Sequence, residues 1–304
     1  MAPTLTILAP THNRPDVLEK VWPTWLEQEG LAEIVVVDDG STEPYSAVFN
    51  QLSDACKANR IVLRVIRNDT RLGAPAAKNR GLLHCTSDEV LTTDDDILLP
   101  PDMVRLCRAG KPIDDRPTIV GPRVIYLLDD EQPDAAIARA NAEKRAFFNY
   151  KDLTLTPWSN PGKVREYPFV TAVALWPRSL FERGLTFHEG YGGNGYREET
   201  DPQLAARASH AAAVFLVPDA VCFHLPLSIA YAKKGGQRRG SRLWFEYWVH
   251  RNNATFLNRH REILHSFGIS VFGSWVHLIQ NRIGPRKIAS HIMKKIDEKN
   301  AKHH

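Results

Sequence analysis

The chain has 304 residues, 43% hydrophobic and 24% charged, the make-up of a folded globular protein, which excludes disorder as its main state. Thirty-nine Lys and Arg stand against 35 Asp and Glu, and the resulting formal charge of +4 is too small to argue for a nucleic-acid partner. Most of the excess is local: residues 282–304 hold seven Lys and Arg against two Asp and Glu, a basic tail behind a near-neutral body.

In chain order, residues 5–9 and 34–37 are short apolar runs that close on polar residues. The second is apolar at every position, as in a strand of a parallel sheet covered on both faces. Between them, residues 16–29 place Val17, Leu18, Val21, Trp22, Trp25 and Leu26 at helical spacing behind Pro15. Residues 61–66 read as a strand, 74–84 as a helix, and 89–93 as a strand that runs into Asp94-Asp95-Asp96. This alternation over the first 125 residues implies an open, mostly parallel Rossmann-like α/β sheet. Residues 129–168 break the pattern with scattered charge and three prolines, and read as an insertion with a helix near 135–148. A strand over 169–176 and a short helix over 179–184 follow. A glycine-rich loop, residues 190–196, then leads to Arg197-Glu198-Glu199-Thr200-Asp201-Pro202. Beyond it come a helix over 202–209, a strand pair at 214–217 and 220–224, the loop K-K-G-G-Q-R-R-G at 233–240, and an aromatic helix near 243–261. The division expected is a catalytic domain over 1–240 and a helical C-terminal extension with the basic tail over 241–304.

Ligands of open α/β sheets bind beyond the carboxyl ends of the strands. Three strands end there in polar motifs: Pro10-Thr11-His12-Asn13-Arg14, Asp38-Asp39-Gly40-Ser41 and Asp94-Asp95-Asp96. Adjacent carboxylates raise one another's pKa unless a cation neutralises them, so the third motif is either a divalent-metal site or a solvated acidic turn. Asp39 either caps a turn or accepts hydrogen bonds from a nucleotide. Arg71, Lys78 and Arg80 surround a helix N-terminus that would suit a phosphate, or form a cationic surface helix.

Taken together, P-T-H-N-R, V-V-D-D-G-S, L-G-A-P-A-A-K-N-R-G, T-D-D-D, G-Y-R-E-E-T-D and P-D-A-V-C-F-H resemble, in order, the family 2 glycosyltransferases, in the branch with an E-E-T-D acidic motif. The resemblance spans roughly residues 4–240, with a gap at 129–168. It implies a glycosyltransferase A-type fold and a metal-dependent inverting transfer of sugar from a nucleotide-diphosphate donor (UDP-, GDP- or dTDP-linked) to an acceptor hydroxyl. The acceptor would be a glycan, a lipid-linked sugar or a small molecule. Carried onto this sequence, the resemblance puts Thr11, Asn13, Arg14, Asp39, Lys78, Asp94 and Asp95 about the donor nucleotide. It makes Asp94 and Asp96 the D-x-D pair, Asp96 the more direct ligand of Mn²⁺ or Mg²⁺, and His224 the residue that completes the site. An inverting transfer needs a carboxylate to take the acceptor proton, and the order of candidates is Glu199, Asp201, Glu198. For Asp201 a plain alternative is the N-cap of the helix that starts with Pro202. Arg238 and Arg239 would close over the diphosphate, or lie on an exposed loop. Trp244 or Trp248 would floor an acceptor pocket, or belong to the core.

Two rival functions use the same residues: a catalytically inactive sugar-nucleotide or glycan-binding module, and a nucleotidyltransferase. P-T-H-N-R lacks the glycines of a nucleotidyltransferase phosphate loop, and the three intact acidic motifs weigh against an inactive module. No Q-x-x-R-W motif of processive polymerising relatives is present, which points to one transfer per encounter. Four scattered cysteines without a C-x-x-C pair, and a start without a signal-peptide pattern, point to the cytoplasm. The amphipathic segment 263–283 and the basic tail would either rest peripherally on the inner face of an anionic membrane, or dock on the catalytic domain with the tail in solvent.

Overall fold

The structure is a computed structural model and describes residues 3–230 and 241–283. Arg238, Arg239 and the basic tail beyond residue 283 lie outside the described residues.

The first half is β1 (Leu5–Thr11), α1 (Pro15–Trp25), β2 (Leu31–Asp38), α2 (Ser46–Ala58), β3 (Val62–Arg67), α3 (Ala74–Leu82) and β4 (Glu89–Thr92). β1 pairs in parallel with both β2 and β4, and β2 with β3. Ile34 to Val37 are fully buried, each side chain contributing roughly 1.5–3 kcal/mol of apolar burial. They serve both faces: Ile34 and Val36 share a cluster with Val17 and Val21 of α1 and Leu52 of α2, while Val35 and Val37 pack with Ala77 of α3. Two coverings explain why this run shows no polar alternation.

Next come β5 (Ile97–Leu98), α4 (Met103–Gly110), β6 (Thr118–Tyr126), α5 (Pro133–Asn141), and a hairpin of β7 (Phe148–Asn149) with β8 (Thr154–Leu155). Then follow β9 (Arg165–Glu166), β10 (Ala174–Pro177), α6 (Ser179–Glu182), α7 (Asp201–His210), β11 (Ala213–His224) and α8 (Leu227–Ala230). The main sheet runs β3-β2-β1-β4-β10-β6-β11-β5, with β9 beside β11. β10 is antiparallel to β4 and β6, and β5 and β9 are antiparallel to β11, while the other pairings are parallel. Winding turns back at β1, which has β2 on one side and β4 on the other. The loops leaving β1 and β4 meet beyond the carboxyl ends of these strands, where such a switch point offers a crevice.

Three elements depart from the sequence reading. The helix expected to reach 148 stops at Asn141, because Phe147 and Phe148 are drawn into an aromatic cluster with Tyr167 and Phe169. The strand expected from 169 starts only at Ala174. Ahead of it the Gln203 side chain takes the hydrogen bonds a neighbouring strand would have made, accepting from Val170 N at 2.7 Å and donating to Thr171 O at 3.1 Å. The strand pair expected at 214–224 is one strand with an irregularity between Val217 and Val221, where Arg123 Nε donates to Pro218 O at 2.7 Å.

The chain continues through α9 (Arg242–Arg259), α10 (Arg261–Ser266) and α11 (Val271–Ile283). Phe256 and Leu257 of α9, Leu264 of α10 and Ile269 complete the cluster that holds Phe169 and Leu204. The extension thus shares a core with the sheet. Among the described residues no helix is long and apolar enough to cross a membrane.

Candidate active site

A pocket of about 400 Å³ opens in the switch-point crevice. It takes in Thr11, Arg14, Asp39, Asp94, Asp95, Asp96, Glu198, Glu199 and His224 from the sequence-predicted set, together with His12 and Arg71. Asn13, Lys78 and Asp201 stand behind its wall.

The loop after β1 is organised by a chain of hydrogen bonds. Thr11 Oγ1 donates to Asp95 Oδ2 at 2.6 Å, which leaves the Tyr45 hydroxyl to donate to Thr11 Oγ1 at 2.8 Å. Arg14 N in turn donates to Tyr45 Oη at 2.8 Å. The Arg14 guanidinium pairs with Asp95, and with Asp96 Oδ2 at 3.0 Å. Thr11 and Arg14 therefore hold the acidic motif in place as well as line the pocket. Burial and Asp96 push the Asp95 carboxyl up against the pull of Arg14. Asn13, with φ 54°, ties the loops after β1 and β2 together: its Oδ1 accepts from Thr42 N at 2.7 Å and Glu43 N at 3.0 Å.

Asp39 orders the loop after β3. Its carboxylate accepts from Asn68 Nδ2, Leu72 N and Gly73 N, each at 2.8 Å. Gly40 has φ 65°, and a Cβ there would lie 2.4 Å from the Thr70 backbone, so no other residue fits this close approach.

Beside Asp96, His224 Nδ1 lies 2.6 Å from Leu225 O and must donate to it, because a carbonyl only accepts. In the neutral ring the Nε2 lone pair then faces Asp96 Oδ2 at 3.5 Å, two electron-rich atoms that a cation would reconcile. Asp96 Oδ1 is buried with no hydrogen-bond partner. Tyr126, opposite His224 in the β6–β11 register, stacks on its ring at 4.5 Å. Among the described residues no group of three or more His, Cys, Asp and Glu closes into a metal cage. The donor set fits an open site, in which one or two carboxylates and an imidazole share a divalent ion with ligand oxygens.

Lys78, 1% exposed, joins the two sides, with Nζ 2.8 Å from Glu198 Oε1 and 3.9 Å from Asp94 Oδ1. Burial works against its charge, but Glu198 and Asp94 outweigh burial and hold the ammonium above the usual lysine range. Glu198 is pushed up by burial against the pull of Lys78. Glu199 lies at the foot of the pocket, deep in the protein mass yet partly open to the cavity. Burial, then the charge of Glu198, raises its pKa to about 7. A carboxylate with that value suits proton abstraction near neutrality.

Asp201 has a different part. The helix cap is Thr200, and Asp201 is the first residue of α7, which corrects the capping expectation. Its Oδ1 accepts from Tyr191 Oη at 2.7 Å, His260 Nε2 at 2.7 Å and Arg259 Nε at 3.0 Å. Burial opposes its charge, but these donors outweigh burial and keep its pKa below the usual range. Asp201 thus fastens the acidic loop to the end of α9. Further fastenings run from Asn252 Nδ2 to Gly192 O at 2.8 Å and from Arg197 Nε to Asn253 Oδ1 at 3.0 Å. Arg197 has φ 78° and donates to Leu153 O at 2.7 Å, so a backbone strain of about 1–3 kcal/mol sits immediately before Glu198. Trp248 packs under the glycine-rich loop: a Cβ on Gly193 would lie 2.2 Å from its indole, and its ring lies outside the pocket lining. Tyr45, Tyr126, Arg259 and His260 had no marker in the sequence, and Arg197 stood there only as a member of the G-Y-R-E-E-T-D motif.

Comparison with known proteins follows the same lines. The family model described as Glycosyl transferase family 2 matches residues 6–170. The chain is 33% identical over 122 residues to hyaluronan synthase of Pasteurella multocida, covering 39% of this chain and 12% of that protein. It is 27% identical over 104 residues to undecaprenyl-phosphate 4-deoxy-4-formamido-L-arabinose transferase of Sodalis glossinidius, covering 33% and 31%. These matches therefore span under a third of the relatives' own length. Among solved structures, GalNAc-T7 with UDP, GalNAc and Mn²⁺ superposes with a TM-score of 0.56 at 17% identity, over 82% of this chain and 48% of that one, a likeness of fold.

Proposed function

The chain belongs to glycosyl transferase family 2, and on that premise we propose that it moves a sugar from a nucleotide-diphosphate donor to an acceptor hydroxyl with inversion. The observation that carries this reading is that one pocket takes in Asp94, Asp96, His224 and a Glu199 poised near pH 7. The nucleoside would lie against the loops after β1, β2 and β3, where Thr11, Asp39 and Arg71 line the pocket. Asp96, Asp94 and His224 would hold a divalent ion, Mn²⁺ or Mg²⁺, which when bound neutralises the diphosphate and stabilises it as the leaving group. The Mn²⁺ complex of a protein of similar fold supports that choice.

Glu199 accepts the proton of the acceptor hydroxyl. The acceptor oxygen then forms its bond to the anomeric carbon on the face opposite the diphosphate oxygen, whose bond to that carbon breaks, and the nucleoside diphosphate leaves with the electron pair. Glu198, held in place by Lys78, lies near enough for its negative charge to add to burial in keeping Glu199 basic. Asp201 positions the loop and has no proton to move. The acceptor would meet Thr154 and Leu155 of the insertion, which line the same pocket. The Sodalis glossinidius relative is named for undecaprenyl phosphate, which supports counting lipid-linked acceptors beside glycans and small molecules.

The test is thermal stabilisation by UDP, GDP, dTDP and CMP, each with Mn²⁺, with Mg²⁺ and with chelator, because a ligand of the native state raises its melting temperature. One nucleotide stabilising only with metal is the expected result. No shift with any nucleotide overturns the proposal.

A further inference from the structure

The two segments of the chain differ in charge. Residues 241–304 carry eleven Lys and Arg against four Asp and Glu, whereas residues 1–240 carry 28 against 31. The cationic segment also holds a set of large apolar side chains left in solvent. Phe272 is 73% exposed and Trp275 40% exposed on α11, while Ser274 and Leu278 on the opposite face are buried. Both aromatic residues line a groove of about 450 Å³ between α9, α10 and α11. That groove also includes Arg261 and His265, and no carboxylate. Three- and four-residue spacing sets Phe272, Trp275 and Ile279 along one side of α11.

We propose that α10 and α11 form the face by which this protein docks on an anionic lipid bilayer. Trp and Phe side chains enter the headgroup region, while Arg261 at the groove meets lipid phosphates. The choice of a bilayer over a protein partner rests on charge: the groove holds Arg261 and no carboxylate, and residues 241–283 carry five Arg against two Glu in a chain whose first 240 residues are slightly acidic. The stripe also leads to the pocket. Trp275 and Arg282 are two turns apart on the same edge of α11, about 10 Å along its axis, and Arg282 lines the pocket. If the transfer reading holds, docking brings the pocket rim to the membrane surface, where the hydroxyl of a lipid-linked acceptor lies.

The experiment is co-sedimentation of the full chain with vesicles of phosphatidylcholine alone and of phosphatidylcholine mixed with phosphatidylglycerol. Binding to the mixed vesicles that weakens with added salt is expected. F272S/W275S should lower partitioning about tenfold or more, with the melting temperature and any nucleotide-induced shift unchanged. The proposal is overturned if the full chain ignores the mixed vesicles. It is equally overturned if the double variant binds them as well as the parent does, or if the stripe proves to seal a dimer that F272S/W275S dissolves while vesicle binding is absent. Vesicle binding requires no nucleotide, so failure of the transfer reading leaves this result intact and separately visible.

Discussion

The two sides of the pocket are built in opposite ways. The side proposed for the nucleotide rests on strand ends: Thr11, Asp39 and the acids after β4 leave adjacent parallel strands, and they are ordered by one another and by loops next to them. The side that holds Glu198 and Glu199 has no strand beneath it. It is a glycine-rich loop fastened by residues more than fifty positions later, through Asp201 to Arg259 and His260, Gly192 to Asn252, and Arg197 to Asn253. A sheet positions a binding group cheaply, because the backbone is already fixed. A loop that must hold a buried, uncomfortable carboxylate needs outside bracing.

That contrast can be broken experimentally. The largest effect belongs to Glu199→Gln, which should lower transfer about 10²–10⁴-fold while metal-dependent nucleotide stabilisation persists. Unchanged turnover would remove Glu199 from the role. Asp96→Ala should do the reverse, weakening metal-dependent nucleotide binding about 10–100-fold in a thermal or calorimetric titration. If the wild type binds nucleotide equally with and without chelator, the metal assignment fails. His260→Ala sharpens the comparison. It removes one donor from a buried carboxylate and should cost about 1–3 kcal/mol of stability in urea unfolding. It should also lower kcat several-fold, with the nucleotide-induced shift unchanged, and a selective loss of nucleotide binding would mean that the two sides are not separately braced.

The smallest effect is in stability against pH. The folded pKa of Glu199, about 7, lies above its ordinary value, so its ionisation destabilises the native state above pH 7 and costs nothing below the unfolded pKa. Glu199→Gln should therefore melt at a higher temperature than wild type at pH 8, with the gap closing as pH falls towards about 5. A gap that does not change with pH would show that Glu199 is not strained by burial. In the same pH range, transfer by the wild type should rise through pH 7 as the base ionises.

Much of the strand-end side of the pocket was legible because its polar residues stand in contiguous runs. An all-apolar V-V-V ending in D-D-G, and a strand ending in D-D-D, announce both the buried strand and what stands at its end. Glu199 was legible as one of three acids, but neither its raised pKa nor the different employment of Asp201 could be read, because both depend on neighbours brought in by the fold. Trp248 shows the same limit: helical spacing identifies it as a core or pocket residue, and only the approach of Gly193 decides which. The helix expected to reach 148 failed for a related reason, since local period cannot register a distant aromatic cluster competing for Phe147 and Phe148.

By itself, then, the sequence determined the alternation of strands and helices, the parallel sheet and the acids at its carboxyl edge, because periodicity and turn chemistry act between residues a few positions apart. Tertiary structure alone decided which carboxylate faces the pocket, which is spent on fastening α9, and which apolar side of α11 stays in solvent. Those outcomes depend on desolvation and on hydrogen-bond partners drawn from remote segments, quantities that exist only once the chain has closed on itself.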